Sequence, residues 1–175
     1  MDIIFKKAGL DDLKDVVRIY DNIHAEIESK GKTVGWVRGV YPVEATAKAA
    51  INRGDMFIEL ADGKTVGTGI INKTQVDVYA DAPWQYRAND DEVMVLHTLV
   101  IDPDASGAGF GKAFVKFYEE NAKKSGAKYL RIDTNEKNVV ARAFYKKLGF
   151  DEIAVVPCDF NGIRWINLVL LEKKI

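Results

Sequence analysis

Residues 106–112 read SGAGFGK, between the apolar run VMVLHTLVIDP (93–103) and the amphipathic stretch AFVKFYEENAKK (113–124). Glycines at alternate positions on a strand-to-helix junction, followed at once by a lysine, point to a loop that holds phosphate. Without side chains at Gly107, Gly109 and Gly111, oxygen atoms can approach the main chain closely. Amide N–H groups at the head of the following helix add its positive end, and Lys112 adds charge at the rim. Two familiar phosphate loops do not fit. The pattern G-x-x-x-x-G-K-[ST] would need glycine where Ser106 stands and a hydroxyl where Ala113 stands. The dinucleotide pattern G-x-G-x-x-G fails because the third glycine falls one residue early. A glycine-rich turn that merely tightens a helix entry is the bland alternative.

Working outward, DIIFKKA (2–8) reads as a strand, and 9–31 as a helix with Leu13, Val16, Val17, Tyr20 and Ile23 on one face. Asp11 or Asp12 would cap it and Gly31 would stop it. A loop at 32–42 leads to a second helix over 42–54. DMFIELADGKTVGTGIINK (55–73) is a hairpin around Asp62-Gly63. A polar and aromatic segment follows at 74–92. Then come the strand 93–103, a helix over 110–125, a strand over 128–134, a helix over 138–148, and two strands around DFNG (159–162). The order β-α-α-β-β-β-α-β-α-β-β predicts an α/β (α+β) chain with a mixed sheet and helices on both faces. The strands on either side of the 110–125 helix should be parallel neighbours.

The bulk numbers are those of an ordinary globular chain. Its 175 residues suit one domain over 1–175, since domains run to roughly 150 residues. The 47% apolar and 29% charged fractions are unexceptional, and a net charge of −1 gives no reason to expect a nucleic-acid or membrane surface. The lone Cys158 excludes an internal disulfide and a zinc cluster, and reads as a small hydrophobe because no activating base is evident. The opening MDIIFKKAGLDDLKD lacks the basic end and apolar stretch of a secretory leader, so a cytoplasmic location is expected.

The stretch LHTLVIDPDASGAGFGKAFVKF (96–117) resembles the acyl-CoA-binding segment of the GNAT N-acetyltransferase superfamily. NVVARAFYKKLGF (138–150) is similar to that family's N-x-x-A-x-x-[LF]-Y-x-K-x-G-F signature, matching at Asn138, Ala141, Phe144, Tyr145, Lys147, Gly149 and Phe150. Both motifs stand in the family's order, one helix and one strand apart. Ser106 departs from the Gln or Arg usual at the first loop position. That removes one side-chain contact near the phosphates and leaves the backbone cradle.

The resemblance implies a central sheet of about seven strands flanked by about four helices, with a splay between the two central parallel strands. It implies acetyl-CoA as co-substrate, no metal, and transfer of acetyl to an amine by direct attack. Leu99, Val100 and Ile101 would pair with the pantetheine arm, since unpaired backbone groups at the splay need partners. Backbone groups of Gly107, Ala108, Gly109, Phe110, Gly111 and Lys112 would hold the pyrophosphate, and Asn138 would hold the arm, cap its own helix, or do both. Tyr145 matches the family's general acid: a phenol with an ordinary pKa of about 10 keeps its proton beside a thiol of about 8.5. Packing at the helix-sheet boundary is its alternative role. His97 is a candidate base or a structural histidine. Asp133 is a second base candidate, with satisfaction by the following turn as the reading favoured for it, and Glu92 is a third. The acceptor would enter between the loops 32–42 and 74–92, walled by Trp36, Tyr41, Trp84 and Tyr86, with Asp77, Asp81, Asp90 or Asp91 attracting its ammonium group. Another acyl donor is the first alternative, and a succinyl donor would call on Arg38 or Arg87. A CoA-binding sensor without catalysis is the second. The two last strands offer edges for a homodimer.

Overall fold

A computed structural model describes residues 1–31 and 34–175; Lys32 and Thr33, at the head of the expected 32–42 loop, lie outside the described residues. The elements are β1 (Ile3–Lys7), α1 (Leu13–Lys30), α2 (Glu44–Arg53), β2 (Met56–Ala61), β3 (Lys64–Asn72), β4 (Val93–Ile101), α3 (Phe110–Lys124), β5 (Tyr129–Asn135), α4 (Val139–Lys147), β6 (Asp151–Phe160) and β7 (Ile163–Lys174). Their order matches the expectation element by element. They build one seven-stranded sheet in the order β1-β2-β3-β4-β5-β7-β6, antiparallel except at β4–β5.

Strand alternation divides the core between two faces. On one face α3 and α4 cover Phe57, Met94, Leu96, Leu130, Ile132, Val169 and Leu171, with Phe114 and Tyr118 fully buried among them. On the other, Val16, Ile19 and Tyr20 of α1 and Ala47 and Ala50 of α2 pack on Ile58, Ile70 and Val100. The same face farther along is covered by the 74–92 segment, whose Tyr79 packs on Val93, Val95, Leu168 and Leu170. Among the described residues no helix is long and apolar enough to cross a membrane.

The parallel pair is brief. Val93, Met94 and Val95 register with Tyr129, Leu130 and Arg131, and there the pairing ends. Beyond that point β4 continues on β3 to Ile101, while β5 continues on β7 to Asn135. The facing edges therefore part, which is the expected splay. A bulge reinforces it: Ile70 registers with His97 but Thr68 with Val100, so Thr98 and Leu99 share one position opposite Gly69. Thr98 sits at φ 51°, a left-handed conformation that a β-branched residue adopts at a cost of about 1–3 kcal/mol.

The sheet also buries an acid without a partner. Glu59 of β2 has no solvent exposure, and neither carboxylate oxygen has a hydrogen-bond partner among the described residues. Burial pushes its carboxyl from 4.5 up to about 7. The folded chain thus holds this proton more tightly than the unfolded chain. Its contribution to stability is complete below about pH 4.5 and is lost as pH rises through about 7. Urea unfolding at pH 5 and pH 8 is expected to show Glu59→Gln gaining up to about 3 kcal/mol on the parent across that interval. Equal differences at both pH values would mean that Glu59 finds a partner on folding.

Candidate active site

Where β4 and β5 part, a cleft of about 1130 Å³ passes through the sheet. It is lined by Leu99, Val100 and Ile101 of β4 and, on the α3–α4 side, by Gly107, Gly109, Phe110, Gly111 and Lys112 and by Asn138 and Tyr145. His97, Asp133, Trp36 and Tyr41 line its other end. Residues expected to act together from positions scattered over the chain thus share one cavity. Ala108 is exposed between two lining glycines, and its side chain faces elsewhere.

The glycine loop is shaped by backbone conformation. Gly107 and Gly109 have φ of 85° and 88°, and a Cβ built on either would meet nothing within 4 Å. They are needed for the left-handed turn, not to relieve a clash. Gly109 is also the N-cap of α3 and offers no side-chain cap, so the first-turn N–H groups of the helix open onto the cleft. Asn138 caps α4, its Oδ1 accepting from the Ala141 N–H at 3.2 Å, and the residue lines the cleft.

Tyr145 is buried, packed between Phe144 and Phe150, and its hydroxyl has no hydrogen-bond partner among the described residues. Burial, and then the neighbouring Asp133 charge, pushes the phenol's pKa up. Asp133 shares its strand face with Tyr129 and Arg131, on the side of the 74–92 segment. One oxygen accepts from the Tyr79 hydroxyl at 2.7 Å. The following turn, expected to satisfy this carboxylate, instead uses Asn135, whose Oδ1 accepts from the Lys137 N–H at 2.9 Å. Burial raises Asp133 to about 6, against the pull of the Tyr79 hydrogen bond. His97 lies at the end of a chain of side chains. Its Nε2 is 3.0 Å from Asn72 Oδ1, Asn72 donates to Asp55, and Asp55 holds Arg53. Asn72 Oδ1 also accepts from the Thr74 N–H, so it is the acceptor for His97. Burial pulls His97 down to about 4, despite the nearby Asp55 charge, and the ring is neutral at pH 7.

Several expectations are corrected. Trp84 and Tyr86 do not line the cleft, because they pin the 74–92 segment to the sheet. The Arg131 guanidinium lies 3.9 Å over the Trp84 ring, Trp84 Nε1 donates to the Tyr79 carbonyl, and Tyr86 stacks on Tyr129. Glu172 completes the anchor by pairing with Arg131 at 3.0 Å and accepting from the Gln85 and Tyr86 N–H groups. Asp77, Asp81, Asp90 and Asp91 also lie off the cleft, as does Glu92, which binds Lys128 and the Asn89 N–H. Arg38 is taken by Glu28 at 2.9 Å, and neither it nor Arg87 reaches the cleft. Cys158 is half-buried among the apolar residues beside Tyr79, where burial raises its thiol pKa.

The sequence also hid part of the wall. Phe160, Ile163, Ile166 and Leu168 of the β6–β7 hairpin also line the cleft, together with Val76. Tyr41 reaches across to hydrogen-bond Thr98, joining the loop before α2 to the β4 bulge. Alternating apolar residues such as Ile166 and Leu168 signal a strand, but no local pattern says which face overlooks a cleft.

Residues 24–150 match the Acetyltransferase (GNAT) family. The chain belongs to that family. Over 162 residues it is 30% identical to an uncharacterized N-acetyltransferase of Methanocaldococcus jannaschii, covering 91% of this chain and 62% of the relative. It therefore spans less than two thirds of that relative's length. The GNAT fold is shared with an acetyltransferase of Streptococcus agalactiae, at TM-score 0.83 and 20% identity, covering 99% of this chain and 95% of the other. A Salmonella typhimurium protein solved with its cofactor acetyl-CoA aligns at TM-score 0.70 and 15% identity, covering 99% and 94%. The ribosomal-protein-S18-alanine N-acetyltransferase of Escherichia coli aligns at 0.68 and 18%, also covering 99% and 94%.

Proposed function

We propose that this GNAT chain moves acetyl from acetyl-CoA to a primary amine by direct attack. The observation that carries the reading is the composition of the cleft's two ends. Left-handed glycines at a helix start and a phenol without a hydrogen-bond partner among the described residues line one, and a carboxylate raised towards neutrality lines the other. Family membership and the acetyl-CoA bound by the Salmonella neighbour support the donor.

The residues fit that donor on their own chemistry. Left-handed Gly107 and Gly109 hold the loop open before the uncapped start of α3, so N–H groups over 107–112 would receive the pyrophosphate. Lys112 would add positive charge. The unpaired edge of β4 over Leu99, Val100 and Ile101 would satisfy the amides of the arm, and Asn138 on the cleft wall would add a side-chain contact. Bound there, acetyl-CoA supplies an activated acyl thioester.

The chain's own groups would supply orientation and proton handling. Asp133 would take a proton from the amine nitrogen as its bond to the acyl carbon forms. Tyr145 holds its proton at neutral pH and would give it to the sulfur as the C–S bond breaks. A base of pKa about 6 is better matched to neutral pH than one of about 4, so Asp133 is the base in this reading and His97 a positioning residue. Holding donor and amine in one cleft supplies the rest, since an oriented pair needs little further activation. Arg53, the arginine on the cleft wall among the described residues, is already paired with Asp55 at 2.9 Å, which argues against its serving the carboxylate of a succinyl donor.

The test is release of CoA thiol from acetyl-CoA in the presence of an amine panel, with acetyl-CoA affinity measured by calorimetry. Tyr145→Phe is expected to lower kcat by about 10²-fold or more while acetyl-CoA affinity stays within about twofold. Tight binding of acetyl-CoA without turnover of any amine would leave a CoA-binding sensor as the function. An unchanged kcat in Tyr145→Phe would remove this residue from proton transfer.

A further inference from the structure

We infer that the acceptor is a small monoamine carried on an apolar or aromatic body, not a polyamine, an amino acid or a peptide; this rests on the acetyl-transfer reading above. The acceptor end of the cleft is walled by Trp36 and Tyr41 on one side and by Val76, Phe160, Ile166 and Leu168 on the other. Ile166 and Leu168 continue the alternation of buried Leu170 on β7, and Asp133 is Leu170's register partner on β5. The apolar wall and the carboxylate therefore belong to one sheet face. An amine nitrogen at Asp133 would leave its carbon body against these side chains.

The charges at this end point the same way. Among the described residues Asp133 carries the one carboxylate on the cleft wall; the aspartates of 74–92 lie off it. A second ammonium group on the acceptor, which polyamines carry, would find amide and hydroxyl groups such as Thr74 and Asn161 but no second carboxylate on the described wall. An amino acid would bring a carboxylate close to Asp133. Arg53, the arginine on the wall, is held by Asp55 through both Nε and Nη2, at 2.9 and 3.2 Å.

Chain contacts also bound this end. A Cβ on Gly162, at the tip of the β6–β7 hairpin, would fall 3.2 Å from Val40 Cγ1, and one on Gly35 would fall 2.4 Å from Asn135 Nδ2. The loop before α2 thus packs directly on both the hairpin tip and the end of β5. These contacts narrow the end from the side of the 34–42 loop, which suits a compact molecule better than a continuing polypeptide.

The experiment compares kcat/KM for 2-phenylethylamine, spermidine, L-leucine and an alanine-initiated hexapeptide, with saturation-transfer NMR reporting 2-phenylethylamine binding independently of turnover. The expected result is a preference of about tenfold to a hundredfold for 2-phenylethylamine. Ile166→Asp is expected to lower its kcat/KM by a similar factor while acetyl-CoA affinity holds. Phe160→Ala, at the hairpin tip, is the second variant should Ile166→Asp misfold, and should weaken both binding and turnover of the aromatic amine. Preference for spermidine, leucine or the peptide overturns the inference, as does no 2-phenylethylamine binding to a chain that binds acetyl-CoA. Failure of acetyl-CoA itself to bind would instead overturn the transfer reading, and calorimetry sees that separately.

Discussion

Gly109→Trp is expected to raise the dissociation constant for acetyl-CoA by more than about 100-fold, equivalent to about 2.7 kcal/mol or more. Two effects combine. Gly109 holds φ at 88°, a conformation that costs a residue with a side chain about 1–2 kcal/mol. That cost falls on the turn leading into α3, and it is shared by the free and bound chain. The second effect is specific to the ligand. A Cβ at Gly109 meets nothing within 4 Å, so the space above the loop is open, and the indole would occupy the place of the phosphates. Gly109→Ala separates the two: it carries the backbone penalty with one methyl group and is expected to lose less affinity than the tryptophan. Calorimetry with acetyl-CoA measures the loss, and a thermal scan of each variant measures what the turn costs the fold. Gly109→Trp binding acetyl-CoA as the parent does would mean that the cradle lies elsewhere.

This prediction could be framed from the sequence because a glycine loop is a local object. Its turn conformations and the helix start are set within a few residues, as are the stops of α1 and α2 at Gly31 and Gly54. Element order was legible for the same reason, and the brief β4–β5 pairing followed from a helix-length crossover. What escaped was decided by distant partners. Trp84 and Tyr86 look like pocket aromatics in isolation. Their fate is set by Arg131, Tyr129 and Glu172, which lie far along the chain. The bulge at Thr98 is invisible in the continuous apolar run of β4, where no glycine or asparagine marks the left-handed residue. The hairpin wall of Phe160 and Ile166 depends on a strand crossing beside β5, which is tertiary information. Burial also changed the ranking of the two candidate bases. Histidine starts nearer to neutral pH than aspartate, but the cleft moves both the other way.

That reversal yields a pH dependence with a definite sign. A general base works only when deprotonated, so activity carried by Asp133 is lost as pH falls through about 6 and is complete above it. His97 is already neutral across that range, because its pKa lies near 4. The profile of kcat, read at saturating amine to set aside the substrate's own ionisation in free solution, should rise with an inflection near pH 6. Asp133→Asn is expected to lower kcat by about 10²- to 10⁴-fold and to abolish the inflection. Tyr79→Phe gives the finer test. It removes the hydrogen bond that opposes the effect of burial on Asp133, so the inflection should move upward while the base itself remains. His97→Gln, which keeps a polar side chain towards Asn72, should leave the inflection where it was. An inflection that survives Asp133→Asn but vanishes with His97→Gln would transfer the base to the histidine. The Asn72–Asp55–Arg53 chain would then be the apparatus that sets its basicity.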